Sequence, residues 1–85
     1  MFDKQEIAFP VEWNFRIICD ASIDVSDELI KVLKSFGVNE LPKAANTSKG
    51  GKYQSYGVKV LFHEKQTMDL MAVELGKVNG VKMVL

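Results

Sequence analysis

The stretch SKGGKYQSY, residues 48–56, concentrates the groups in this chain that could hold an anion. Two adjacent glycines can direct several backbone N–H groups towards one ligand, and the flanking lysines add positive charge. A nucleotide-hydrolysis loop is excluded, because it requires the pattern G-x-x-x-x-G-K-[ST] between a strand and a helix. Here Tyr53 follows Gly51-Lys52, and the next predicted element is a strand. Two roles stay open: an anion-binding loop, or a plain connection between two strands.

The candidate binding residues belong to this loop and to the start of the strand that follows it. They are Ser48, Lys49, Gly50, Lys52, Tyr53 and Ser55. We expect the loop, residues 47–52, to be mobile in the free protein, because it has two glycines and no apolar anchor. Lys49 and Lys52 are its only charged side chains, so an anionic ligand would meet them first.

The chain offers few groups for catalysis or for metal binding. His63 is the only histidine and Cys19 the only cysteine, whereas a zinc site needs three or four protein ligands. Cys19 alternates with apolar residues on the predicted inner face of a strand, where a thiol is a poor nucleophile. Neither a Ser–His–Asp arrangement nor a carboxylate pair stands out. We therefore expect a protein that is not an enzyme and that holds no metal and no cofactor.

The elements that must position these residues follow the order strand, helix, strand, strand, helix, strand. WNFRIICD and YQSYGVKVLF alternate as strands do, whereas DVSDELIKVLKSFG and EKQTMDLMAVELGK have the apolar spacing of amphipathic helices. Pro42 predicts that the second strand lies at an edge of the sheet. The order predicts an α+β protein with the ferredoxin-like split βαβ fold: a four-stranded antiparallel sheet with both helices on one face.

Alternation along the third strand predicts which side chains face the core. The inward set is Tyr56, Val58, Val60 and Phe62, and the outward set is Ser55, Gly57 and Lys59. We predict that Val60 and Phe62 are buried beside Phe15 and Ile17, beneath both helices. Met68, Met71 and Leu75 have helical spacing and are predicted core residues of the second helix.

RNA-recognition motifs share this element order, but they require aromatic side chains on the open face of the third strand. Tyr56-Gly57 match two positions of that motif. Val58 and Lys59 then stand where an aromatic and an aliphatic residue are required, and the alternation turns Tyr56 inward. The third strand therefore argues against nucleic acid as the partner.

Length and composition restrict the class of protein. The 85 residues predict a single domain, 1–85, with residues 1–8 as a loosely ordered N-terminal segment. The net charge is zero, but residues 1–45 carry −3 and residues 46–85 carry +3, which predicts a basic patch around the loop. No apolar run approaches the roughly 20 residues of a membrane helix. A single cysteine and the lack of a signal-peptide pattern predict a cytoplasmic protein.

Three stretches make the chain resemble the YbeD-like family of small bacterial proteins, also described as lipoate-binding regulatory proteins: FPVEWNFRII, TSKGGKYQSYGVKV and ELGKVNGVKMVL. The likeness runs from about Phe9 to Leu85. It implies a ferredoxin-like fold similar to ACT regulatory domains, which bind small ligands and modulate enzymes. The family's shared loop falls here on Ser48, Lys49, Gly50, Tyr53 and Ser55. The amino-acid site of ACT domains does not carry over, because Asp20-Ala21-Ser22 lacks its glycine.

These observations lead to a small cytoplasmic regulatory or ligand-sensing protein, which the resemblance connects with lipoate metabolism. Its partner would be a small-molecule ligand or an enzyme. The alternative is a protein- or RNA-interaction module that uses the open sheet face near Arg16, Ser55, Gly57 and Lys59. Leu70 and Val73 lie off the inner face of the second helix, so a homodimer that uses them also stays open.

Overall fold

The computed structural model describes residues 9–85, so the prediction for residues 1–8 lies outside the described part of the chain. Four strands and two helices form within that range. They are β1 (Val11–Asp20), α1 (Ser26–Ser35), β2 (Lys43–Thr47), β3 (Tyr53–Phe62), α2 (Lys65–Gly76) and β4 (Val81–Val84). The element order is the predicted one, and Pro42 comes directly before β2.

The strands form one antiparallel sheet in the order β2-β3-β1-β4. β1 and β3 pair along their whole length, from Val11 opposite Phe62 to Asp20 opposite Tyr53. β2 and β4 are therefore the edge strands, and a proline beside an edge strand removes no ladder hydrogen bond. This topology confirms the ferredoxin-like split βαβ fold.

The core lies between the helices and one face of the sheet, as the alternation predicted. Its buried members are Phe15, Ile17, Cys19, Val25, Leu29, Leu33, Val58, Val60, Phe62, Met68, Met71 and Leu75. The rings of Phe15 and Phe62 meet edge to face, with their centroids 5.9 Å apart. Val60 and Phe62 are buried beside Phe15 and Ile17, which confirms the predicted inner face.

The opposite face of the sheet, called the open face from here on, carries the outward side chains of the strands. β1 contributes Glu12, Asn14, Arg16 and Ile18; β3 contributes Tyr53, Ser55, Gly57, Lys59 and Leu61; and β4 contributes Met83. Leu61 and Met83 are 56% and 52% exposed, although both are apolar. On the helical side, Leu70 and Val73 of α2 are also about half exposed. Neither helix within residues 9–85 has the length and apolar character to cross a membrane.

Candidate functional site

The glycine-rich loop is a hydrogen-bonded hairpin turn between β2 and β3. Ser48 N–H donates to the Tyr53 carbonyl at 2.8 Å, and Gly51 N–H donates to the Ser48 carbonyl at 2.8 Å. Gly50 and Gly51 have φ values of +91° and +71°, a backbone region that favours glycine. The turn alone therefore accounts for both glycines, and the amide of Gly51 is engaged inside the loop.

A second set of bonds restrains both ends of this loop. Tyr53 N–H donates to the Ser48 hydroxyl oxygen at 2.9 Å. Ala21 N–H donates to the Lys52 carbonyl at 3.0 Å, which ties the loop to the connection between β1 and α1. The mobility predicted for residues 47–52 remains a prediction. Because these bonds restrain both ends of the loop, we expect the mobility at its tip, Lys49 and Gly50.

Ser55 lies on the open face, but the edge strand covers it and engages its hydroxyl. The pairing of β2 with β3 shifts register between Ala44 and Thr47, which is a β-bulge. At the bulge, Asn46 N–H donates to the Ser55 hydroxyl oxygen at 3.0 Å, and that hydroxyl lies 3.2 Å from the Asn46 carbonyl, to which it donates. Ser55 is only 8% exposed. Its hydroxyl therefore stabilises the bulge and offers no donor to a ligand.

A shallow depression lies on the open face beside the hairpin loop, and we call it the carboxylate depression. Its lining residues are Arg16, Ile18, Asn46, Thr47, Ser48, Tyr53 and Ser55. Three of the six predicted binding residues thus come together, whereas Lys49, Gly50 and Lys52 do not line it. The Lys52 ammonium instead lies 5.8 Å from the centre of the Tyr53 ring. The sequence placed Arg16 only on the alternative interaction surface of the open face and did not single out Ile18, although strand alternation puts both on the face of Ser55.

The lining combines one cation with an apolar floor. The Arg16 side chain is exposed and forms no ion pair with any residue of 9–85. Ile18 is half-buried, and Tyr53 is 38% exposed. The Ser48 hydroxyl accepts a bond from Tyr53 N–H, which leaves its own proton for a ligand. A guanidinium binds a carboxylate through two parallel hydrogen bonds, so the depression is suited to a carboxylate that carries an apolar chain.

Asp20 moderates the positive charge at the same end of the sheet. Hydrogen bonds from the hydroxyl and the amide of Ser22 hold the pKa of the Asp20 carboxyl below its ordinary value. The charges of Lys82 and Lys52 lower that pKa further. Asp20 is therefore ionised at neutral pH, and it offsets part of the charge of the two lysines.

Cys19 and His63 belong to no metal-binding cluster in the described part of the chain. Within residues 9–85, no three His, Cys, Asp or Glu side chains gather closely enough to hold a metal ion. Cys19 is fully buried, and burial raises the pKa of its thiol. A thiol in this setting is a core residue with little thiolate at neutral pH.

We expect Cys19 to react with a disulfide reagent such as DTNB only when the protein opens. In native buffer the rate should be at least about a hundredfold below that of the urea-unfolded chain, because attack requires exposure of a core strand. Cys19 is the only thiol of the chain, so the absorbance of the thiolate released from DTNB measures the reaction of Cys19 alone. Comparable rates in the two conditions would show that β1 is not protected.

Comparison with known proteins identifies relatives of this chain. Residues 4–85 match the model of a family described as "Protein of unknown function (DUF493)". A UPF0250 protein of Shewanella loihica is 31% identical over 77 residues, which cover 91% of this chain and 88% of the relative. A UPF0250 protein of Pasteurella multocida is 24% identical, with 96% and 93% of the two chains covered.

The fold also occurs in a solved structure. The solution structure of protein HP0495 from Helicobacter pylori superposes with a TM-score of 0.80 and 21% sequence identity, covering 96% of this chain and 88% of that one. This likeness supports the ferredoxin-like architecture. The match over residues 4–85 shows, as the resemblance to YbeD-like proteins predicted, that the chain belongs to the DUF493 family.

Proposed function

We propose that the protein is a small, cytoplasmic, non-enzymatic regulatory protein that senses a carboxylate with an apolar chain. The observation that carries this proposal is the carboxylate depression, in which the Arg16 guanidinium lies beside the apolar floor of Ile18 and Tyr53 and forms no ion pair within residues 9–85. The Ser48 hydroxyl adds a hydrogen-bond donor at the rim. The lining residues include no histidine, cysteine or carboxylate that could act as a general base or a nucleophile.

Lipoate and octanoate are the first ligands to consider. Each has one carboxylate at the end of an apolar chain, which is the chemistry that the depression supports. The resemblance to proteins described as lipoate-binding points to lipoate itself. Regulation would then follow if the bound ligand changed the binding of the protein to a partner enzyme.

The open geometry limits the affinity of the depression by itself. A solvent-exposed ion pair contributes about 0.2–1 kcal/mol. Each methylene removed from water adds about 0.8 kcal/mol, so four of them add about 3 kcal/mol. Together these favourable terms correspond to a dissociation constant no tighter than about 1 mM, because association also costs translational and rotational freedom. Tighter binding would require a partner that covers the ligand.

We expect octanoate and lipoate to shift the amide signals of Ile18, Ser48 and Tyr53 in an NMR titration of the labelled protein. Arg16→Gln should weaken binding about fivefold, because it removes a charged, two-point hydrogen bond from the carboxylate. Lys49→Gln should leave the affinity unchanged, since Lys49 does not line the depression.

The two variants separate the depression from the loop. A loss of affinity in Lys49→Gln but not in Arg16→Gln would move the site to the loop tip. Octanol tests the apolar floor alone and acetate tests the cation alone, and both should bind more weakly than octanoate. Both ligands are tested up to about 5 mM, which is five times the limiting dissociation constant of about 1 mM given above. If neither octanoate nor lipoate shifts any amide signal at that concentration, the proposed sensing function is wrong.

An interaction module on the open face is the second candidate. The exposed apolar side chains of Leu61 and Met83 favour it, because apolar groups on an otherwise polar face are typical of a contact surface. A protein partner is favoured over RNA, since Tyr53 is the only aromatic residue among the described residues of that face. RNA binding would instead show affinity that falls steeply with salt. A homodimer through Leu70 and Val73 would show in the molar mass by light scattering.

A further inference from the structure

We propose that the surface over Gly57, between Arg16 and Lys43, binds an extended acidic segment of a partner protein that presents one aromatic side chain. We call this surface the glycine gap. It lies beside the carboxylate depression, shares only Arg16 with it and needs no bound carboxylate. Binding at the glycine gap therefore goes beyond the sensing function and does not depend on it.

Strand register creates the glycine gap. Gly57 lies in the middle of β3, directly opposite Arg16 of β1 and directly opposite Lys43 of β2. Neighbouring strands lie about 4.8 Å apart, so the two cationic residues stand roughly 10 Å from each other across bare backbone. A Cβ atom built on Gly57 would have its nearest heavy atom, the Phe15 carbonyl oxygen, at 4.0 Å. The space above Gly57 is thus open on the solvent side.

The shape of the gap suits a flat side chain. An aromatic ring can cover a sheet glycine, as rings on neighbouring strands do in β proteins. The gap opens into a groove whose lining includes Asn14, Leu41 and Ala45. Leu41 is 57% exposed and offers an apolar wall to the edge of such a ring. Small residues on the floor and one apolar wall therefore favour an aromatic side chain over a long aliphatic one.

The charge at the gap favours acidic neighbours of that ring. Among residues 9–85, neither Arg16 nor Lys43 is in an ion pair. The groove also contains Lys59 with Glu12, whose charged atoms are 4.0 Å apart, and Glu40 beside Leu41. Glu12 thus offsets Lys59, and Glu40 offsets one further cation. Arg16, Lys43 and Lys59 together with Glu12 and Glu40 therefore carry a net charge of +1, and the two residues directly opposite the glycine, Arg16 and Lys43, are both cations. Complementary charge makes an acidic segment the matching partner.

Spacing along an extended segment fixes the pattern that would be recognised. Residues i−2, i and i+2 point to the same side and are about 6.6 Å apart. A ring at position i over Gly57 would place acidic residues at i−2 and i+2 within reach of Arg16 and Lys43. The pattern is therefore [DE]-x-[FWY]-x-[DE]. This chain contains no such sequence, so a second copy does not supply it.

The test uses the full labelled chain and the acetylated, amidated peptide Ser-Glu-Ser-Phe-Ser-Glu-Ser as the probe. We expect NMR shifts at the amides of Gly57, Lys43 and Ala45, with an affinity that weakens as salt rises. Two control peptides, one with Ala for Phe and one with Gln for both Glu, should each bind at least about fivefold more weakly. Each control removes one half of the recognised pattern.

Variants of the protein then separate the shape of the gap from its charge. Gly57→Thr fills the gap and keeps every charge, and Lys43→Gln removes one cation and leaves the gap open. Each should weaken the probe at least about fivefold. Lys34→Gln, at the exposed end of α1, is the matched charge control and should change nothing. Thr favours strands and meets open space here, so the melting temperature should not fall.

Three outcomes would overturn the proposal. The first is an absence of shifts with the probe at millimolar concentration. The second is equal binding by Gly57→Thr and the parent, which would leave only general attraction between charges. The third is an equal loss in Lys34→Gln and Lys43→Gln. If Gly57→Thr fails to fold, Lys43→Gln and the two control peptides still decide.

Discussion

Replacement of Phe62 by Ala is expected to lower the free energy of unfolding by about 3–5 kcal/mol. Phe62 is 2% exposed, and its ring packs edge to face against Phe15, beneath the helices. Truncation removes this contact and leaves a cavity that the surrounding core side chains can fill only in part. The loss is a large share of the 5–15 kcal/mol that stabilises a typical domain.

Urea denaturation followed by circular dichroism measures this loss. Leu61→Ala is the matched control: Leu61 is the adjacent residue of β3, is 56% exposed and points to the open face. That variant should lower the free energy of unfolding by less than about 1 kcal/mol, because an exposed side chain buries little apolar area when the protein folds. If the two variants unfold at the same urea concentration, the assignment of faces in β3 is wrong.

Gly80→Ala is expected to cost about 2–5 kcal/mol, although Gly80 lies in a surface turn. Its φ of +101° is unfavourable for any residue with a Cβ atom, at about 1–2 kcal/mol. A Cβ there would lie 2.9 Å from Val25 Cγ1 and 3.0 Å from Ile23 Cγ2, which adds an overpacking cost of about 1–3 kcal/mol. The Gly80 carbonyl also accepts a 2.8 Å bond from Asp20 N–H, which resists relaxation of the turn.

The matched control for this effect is Gly50→Ala in the hairpin loop. Gly50 has a similar φ of +91°, but a Cβ there meets nothing within 4 Å. Its cost should therefore be the backbone term alone, about 1–2 kcal/mol. The difference between the two variants, measured by urea denaturation, isolates packing against Ile23 and Val25. Equal losses would mean that this packing adjusts without cost.

The sequence could predict only part of the carboxylate depression. The composition of the loop predicted a binding site there. Which residues line the carboxylate depression depends instead on which side chains point to the open face. Ser48 and Tyr53 line it because they close the hairpin. Lys49 and Lys52 do not line it, and the Lys52 ammonium instead lies 5.8 Å from the centre of the Tyr53 ring. Composition identified the region, and side-chain direction selected the residues.

Local patterns alone determined the six elements and the inner faces of β1 and β3. These features depend on spacing within one segment, because side chains alternate along a strand and recur every three to four residues on one face of a helix. The topology followed as well, because chain order, right-handed crossovers and Pro42 beside an edge strand leave few alternatives.

Only the tertiary structure decided which residues of different segments meet. The bulge in β2 engages the Ser55 hydroxyl, and the register of three strands places Gly57 between Arg16 and Lys43. Gly80 is required because Ile23 and Val25 pack against its turn. Each of these contacts joins residues of different elements, and a shift of one residue in pairing would move every side chain of a strand to the other face. Register is set by the packing of the whole core, so no single stretch of sequence could specify it.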